Sequence, residues 1–253
     1  NLVGQLATAV ASAVNAQQVA GLNLQPPAGS IASQPLFGLG APQALPQASN
    51  AKDAITGLPV GSVTLTITDA SALKPSDYDL RESTTSPGSF QLTRLSDGKV
   101  STVNSGDVVD GLRIDINAAQ SGDRFLLQPV GRAAVGMTRL LSDPRDLAAA
   151  SPLTATTPAG NTGSAAVGEL TITATPLPYG ASAEVLSFTR LVPAQNGFDY
   201  AVTSSLDGSV NLWKTGMPVV GANGYSLRIS GVPADGDMLN VDPTPASAVA
   251  SNN

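Results

Sequence analysis

A chain of 253 residues with 42% hydrophobic content can bury more than one core, yet aromatics make up only 4%, so Val, Ile, Leu and Ala must do the packing. With 13 basic and 19 acidic residues the net charge is −6, and no basic cluster interrupts it, which argues against nucleic acid and against an anionic membrane as partners. The absence of cysteine and histidine removes disulfides, thiol nucleophiles, Ser-His-Asp triads and ordinary zinc sites, and no window is apolar enough to span a bilayer.

In chain order, residues 1–20 read as a helix. Leu2, Leu6, Ala9 and Ala13 recur at steps of four, three and four with Val10 beside them, which makes a narrow, small-sided apolar stripe. A lone helix of this length is marginal in water, so the stripe calls for a partner helix, within the chain or outside it. We take Leu2, Leu6, Ala9, Val10 and Ala13 as the candidate helix-packing and assembly face. The chain opens inside this pattern, and its first residues lack the basic start and long apolar core of a signal peptide, as expected of a piece cut from a longer protein. Residues 21–60 are rich in Pro, Gly, Ala and Gln and read as an extended connector in which Leu36-Phe37 is a short apolar anchor and Pro26-Pro27 stops any helix.

From Gly61 the period becomes two. Val63, Leu65 and Ile67 alternate with Thr64, Thr66 and Thr68, as in a half-buried strand. Tyr78-Asp79-Leu80, the run from Phe90 to Leu95, the run from Leu112 to Ile116 and Phe125-Leu126-Leu127 are further strands, with Asp97-Gly98 turning the chain between two of them. Residues 132–150 return to a helical period through Ala133, Ala134, Met137, Leu140 and Leu141. The run is broken at Asp143-Pro144, and a second short turn is expected over Leu147–Ala150. A Ser/Thr/Pro/Gly-rich connector follows from Ser151 to Ala166.

The strand pattern then repeats. Gly168-Glu169-Leu170 echoes Gly61-Ser62-Val63, and Leu206-Asp207-Gly208 echoes the Asp97-Gly98 turn. Gly224-Tyr225-Ser226-Leu227 echoes Gly111-Leu112-Arg113-Ile114, and Gly236-Asp237 echoes Gly122-Asp123. These landmarks keep their order at an offset of roughly 110 residues, which indicates two related β modules in tandem. The expected fold is mainly β with minor α. It comprises two antiparallel sandwich- or barrel-like modules, an N-terminal helix and a short helix after the first module. The expected divisions are residues 1–58 for the helix and connector, 59–152 for the first module and 153–253 for the second with a return segment.

Candidate chemistry is thin. Ser49-Asn50-Ala51-Lys52 and Ser71-Ala72-Leu73-Lys74 share the Ser-x-x-Lys spacing of penicillin-recognising enzymes, and Lys214-Thr215-Gly216 completes their look. Ser49 lies in the connector and Ser71 directly after a strand, neither at a helix N-terminus. Asp77, Asp79 and Glu82, and Asp235 with Asp237, fall short of a calcium loop. The Gly-Asp pairs at 122–123 and 236–237 read as turn residues, and Trp213 as a core or interface residue. No catalytic residue, cofactor or metal site is expected.

The ordered set of motifs resembles the flagellar hook-associated protein 1 family. The run Thr68-Asp69-Ala70-Ser71-Ala72-Leu73 is followed by Ser76-Asp77-Tyr78-Asp79-Leu80, by Asp110-Gly111-Leu112 and by the run from Gly122 to Pro129. Ala133-Ala134, Asp143-Pro144 and the run from Ala148 to Pro152 come next; upstream stand Asn15-Ala16-Gln17, the run from Gly21 to Leu24 and Pro35-Leu36-Phe37. The set covers most of residues 1–152; Gln25-Pro26-Pro27 stands where the family has a Gly-containing turn, and residues 153–250 join only through the internal repeat. The resemblance implies a non-catalytic structural adaptor at the bacterial hook–filament junction, exported by the flagellar secretion system without a cleaved signal and found extracellularly in the flagellum. Its implied partners are itself and neighbouring hook and junction proteins. Terminal helices would build the inner tube, β modules would project outward, and this central piece, lacking both helical ends, would be a soluble monomer. Ser251-Asn252-Asn253 would begin the return to the helical core. The alternative is an adhesin-type binding protein with immunoglobulin-like repeats, which predicts no packed helix at the start.

Overall fold

The computed structural model describes residues 1–27, 29, 30, 34–82 and 88–250; the expected return at 251–253 lies outside them. The chain divides into two units, Asn1–Asn15 with Leu36–Leu140, and Ala16–Pro35 with Leu141–Asn253. Helix α1 spans Leu2–Val19. Among the described residues no helix is long and apolar enough to cross a membrane.

The first unit contains β1 (Phe37–Gly38), β2 (Gln43–Pro46), β3 (Ser62–Ile67), β4 (Tyr78–Glu82), β5 (Phe90–Arg94), β6 (Val100–Val103), β7 (Val108–Val109), β8 (Leu112–Asn117), β9 (Arg124–Gln128) and β10 (Thr138–Arg139). One sheet runs β2-β9-β4-β5-β6 and a second β3-β8-β7, all antiparallel. Strand β8 shows the cause. Leu112, Ile114 and Ile116 are buried, while Arg113 and Asp115 pair on the outer face. The inward residues of both sheets, with Leu80, Ile114 and Leu127 the deepest, close one core. Part of the stretch read as a connector is thus a sheet strand, since β2 pairs with β9.

The second unit contains β11 (Leu153–Thr156), β12 (Ala166–Ile172), β13 (Glu184–Gln195), β14 (Phe198–Ser204), β15 (Val210–Trp213), β16 (Val219–Gly221), β17 (Tyr225–Ser230), β18 (Met238–Pro243) and the short helix α2 (Ala246–Ala250). Its sheets run β11-β18-β13-β14-β15 and β12-β17-β16. Each strand occupies the place of its counterpart in the first unit, so the tandem repeat read from four landmarks is a repeat of topology. Phe188 meets Tyr200 and Trp213 edge-on in its core and those two rings are tilted against each other, with centroids 5.7–6.3 Å apart. Trp213 is a core residue whose indole N–H donates to the Met217 carbonyl.

One expected element is corrected. Residues 132–142 form turns rather than a helix: Gly136 N–H reaches Arg132 O and Met137 N–H reaches Ala134 O, and the chain then enters β10 against β1. A short helical period is too weak to nucleate alone. Here it yields to a close backbone approach, because a β-carbon on Gly136 would stand 2.5 Å from Gly40 Cα. After it, Pro144–Asp146 is one 3₁₀ turn capped by Asp143. Ala148–Ala150 is extended, not the second turn expected, and Ala150 bridges Leu22.

Candidate functional site

Helix α1 is held by a face of small and polar residues. Gly4, Thr8, Ala11 and Gln18 are buried, and Asn15 on the same line is half-buried. Gly4 is required by contact: a β-carbon there would stand 1.9 Å from the Val130 carbonyl oxygen. Thr8 turns its hydroxyl back on the Gly4 carbonyl, so the buried face exposes no unpaired donor. In the first unit Gln5 donates to Leu73 O, and Asn15 both donates to and accepts from the Phe37 backbone at 2.8 and 2.9 Å. The anchor expected at Leu36-Phe37 is therefore made through backbone. In the second unit Gln18 bonds Asp146 O and Ala148 N–H in the same way.

The candidate stripe lies on the other side. Leu2, Leu6 and Val10 are 70%, 64% and 46% exposed, and Ala9 and Ala13 are also exposed. The stripe and the buried line start two residues apart, which places them about 200° around the helix from each other. The five residues share one face, and among the described residues nothing covers it.

The Gly-Asp pairs do more than turn a hairpin. Asp123 and Asp237 are 2% and 4% exposed, and both reach far along the chain. Asp123 accepts from Ala51 N–H and from Gln120 N–H; Asp237 accepts from Thr162, Gly163 and Ala234 N–H at 2.8–2.9 Å. An asparagine completes each clasp by exchanging two bonds with the backbone of the following strand, Asn50 with Arg124 and Asn161 with Met238. Gly61 and Gly163 sit against the carboxylates, where a β-carbon would stand 2.8 and 2.5 Å from an aspartate oxygen. Each module thus fastens its incoming segment with the same Asn–Gly–Asp set, whose only signal in the sequence is its recurrence in both halves.

The other singled-out groups are tied to the fold. Arg94 bridges Asp97 and Asp110, and the Tyr78 hydroxyl donates to Asp110. Burial, then this bond to Asp110, pushes the Tyr78 phenol well above its ordinary value. Asp77 accepts from Asn1 and Gln128, Asp79 pairs with Arg124, and Asp235 accepts from Arg190 N–H. The Ser71 hydroxyl donates to Asp69, and Ser49 is exposed in a turn. Among the described residues no group of three or more acidic side chains is placed to hold a metal ion.

Comparison with known proteins places this geometry. Residues 48–129 match the family model described as flagellar hook-associated protein 1, D2-like domain. The chain is similar to flagellar hook-associated protein 1 of Escherichia coli, 33% identical over 156 residues, and of Salmonella typhimurium, 30% identical over the same length. Each match takes in 60% of this chain and 26% of the relative. The chain thus spans about a quarter of the length of the curated relatives it matches. In fold it resembles the flagellar hook junction protein FlgK from Burkholderia pseudomallei. The TM-score is 0.67 at 22% identity, covering 98% of this chain and 48% of that one.

Proposed function

We propose that the chain, whose residues 48–129 match the flagellar hook-associated protein 1, D2-like domain model, belongs with that family and is the outward, two-module middle portion of a structural adaptor between hook and filament. One observation carries the reading: a helix fixed by a small polar face presents Leu2, Leu6, Ala9, Val10 and Ala13 to solvent. Each large aliphatic side chain left exposed forgoes roughly 1.5–3 kcal/mol of burial. Such a face on a firmly mounted helix suits packing against helical segments of the longer protein and its neighbours. The portion is non-catalytic, its partners are hook and junction proteins and further copies of itself, and alone it is a monomer. It works outside the cell, in the flagellum, after export without a cleaved signal. The packed helix α1 speaks against the adhesin reading.

The test uses the longer protein in a flagellated bacterium that lacks it. Leu2→Ser, Leu6→Ser and Val10→Ser together should abolish filament growth, while the same changes leave the urea midpoint of the 253-residue chain within about 0.3 M of the parent. Normal filaments from the triple variant would refute the reading of the face.

A further inference from the structure

An asparagine followed by glycine is open to attack by its own backbone. With no side chain to crowd it, the glycine nitrogen can reach the asparagine side-chain carbon and close a five-membered imide. The pair occurs twice in the sequence, at Asn196-Gly197 and at Asn223-Gly224. Both lie in the second module, and the fold treats them in opposite ways.

Asn223 is shut in. It is 0% exposed. Its Oδ1 accepts from Tyr179 N–H, and its Nδ2 donates to Ser182 O. The attacking group is occupied as well, since Gly224 N–H donates to Gly221 O while the Gly224 carbonyl accepts from Thr173 and Ala174 N–H. A β-carbon on Gly224 would stand 2.5 Å from Ala174 Cβ, so this peptide has little room to swing. Reaction there waits for local unfolding of the module.

Asn196 is placed in the reverse manner. Asn196-Gly197 is the two-residue loop that joins β13 to β14, with both residues left-handed at φ +51° and +81°. Gln195 pairs with Phe198 just below it, and the register then shifts. Residues 191–194 stand against Asp199 alone before Arg190 pairs with Tyr200. Residues 192–197 are all exposed, and a β-carbon on Gly197 would meet nothing within 4 Å. The bulge cuts the tip off from the main ladder, so the tip relaxes by giving up one pair and none of the core.

We propose that Asn196 is a site of spontaneous covalent modification with water as co-reactant, and that Asn223 is its protected counterpart. The Gly197 nitrogen bonds to Asn196 Cγ, the Cγ–Nδ2 bond breaks, and the Gly197 amide proton leaves with Nδ2 as ammonia. Water then opens the imide and returns a proton to the Gly197 nitrogen. Opening at Cγ gives aspartate; opening at the main-chain carbonyl gives isoaspartate, whose main chain is one carbon longer. The net change consumes one water and releases one ammonia. It adds a negative charge beside Asp199 and, in the isoaspartyl form, breaks the two-residue loop on which the Gln195–Phe198 pairing depends.

The 253-residue chain is held in mildly alkaline buffer, sampled over days and digested. Each Asn-Gly peptide is followed by its mass, and isoaspartate is counted by enzymatic methylation of its carboxyl group. In the folded chain Asn196 should convert at least about tenfold faster than Asn223, a ratio that needs only about 1.4 kcal/mol of extra opening cost at the buried site. In guanidinium chloride, where burial is gone, the two should convert at rates within about twofold of each other. Both aspartate and isoaspartate should appear at position 196, and amide exchange in the converted chain should quicken over residues 191–199 while residues 184–190 keep their protection. Equal rates in the folded chain, faster conversion at Asn223, or an Asn196 that stays intact while the unfolded chain reacts would overturn the assignment. Aspartate without isoaspartate would overturn the backbone attack, and unchanged protection at the tip would overturn the effect on the loop.

Discussion

Replacing Asp237 by Ala removes one acceptor and strands three backbone donors in the second module. The carboxylate is 4% exposed and takes N–H groups from Thr162, Gly163 and Ala234. A hydrogen bond to a charged acceptor is worth about 1.5–3 kcal/mol, and a buried donor left without one costs about 1–3 kcal/mol. Water reaching the 162–163 loop restores part of this, so the net loss over three stranded donors should be about 3–5 kcal/mol. With a urea slope of about 1–3 kcal/mol/M the midpoint should fall by roughly 2 M. Trp213, the single tryptophan, is buried in that module's core, so its fluorescence reads the transition. Acid provides a second reading. Desolvation pushes the Asp237 carboxyl up, but the N–H groups of Ala234, Thr162 and Gly163 together outweigh it and hold it below the usual range. The folded state therefore binds the proton less tightly than the unfolded chain. The clasp's contribution is complete above the unfolded value near 3.9 and is lost as pH falls below that through the folded value. Asp237→Asn keeps one carbonyl acceptor, so it should destabilise less than Ala and should lose this part of the acid dependence. An Asp237→Ala midpoint within about 0.3 M of the parent would refute the reasoning.

Two further changes test packing. Gly4→Ala raises helix propensity by about 1 kcal/mol, yet it should loosen α1, because the new methyl meets the Val130 carbonyl backbone. Faster amide exchange over residues 2–15 is the expected result, and slower exchange would show that propensity wins. Phe188→Ala opens a hole between the Tyr200 and Trp213 rings, where Phe188 is 1% exposed, and should cost about 3–5 kcal/mol in urea unfolding followed at Trp213.

The alternating segments were legible because a strand with one buried face writes its period into the chain; Leu112, Ile114 and Ile116 are inward for the reason their spacing suggests. The repeat was legible because turn chemistry is local: Gly111 and Gly224 both occupy positive φ beside equivalent strands. The clasps were not. Asp123 and Asp237 look like turn residues within a few positions, yet their decisive acceptors' partners lie 72 and 75 residues earlier, at Ala51 and Thr162. Residues 132–142 failed in the same way, since the pairing of Gly38 with Thr138 is invisible to a helical period.

The helix carries the harder lesson. Two lines on α1 have the same spacing, Leu2-Leu6-Ala9-Ala13 and Gly4-Thr8-Ala11-Asn15, and periodicity alone prefers the apolar one as the inner face. Contact distance decides the other way. Only a residue without a side chain lets the helix approach Val130 as it does, and the hydrogen bonds of Thr8 and Asn15 satisfy the polar groups that close approach buries. Small and polar residues fix the helix to its own chain, which leaves the apolar line free. Its burial energy can then be released only against something beyond these residues, and that is the arrangement an assembly subunit needs.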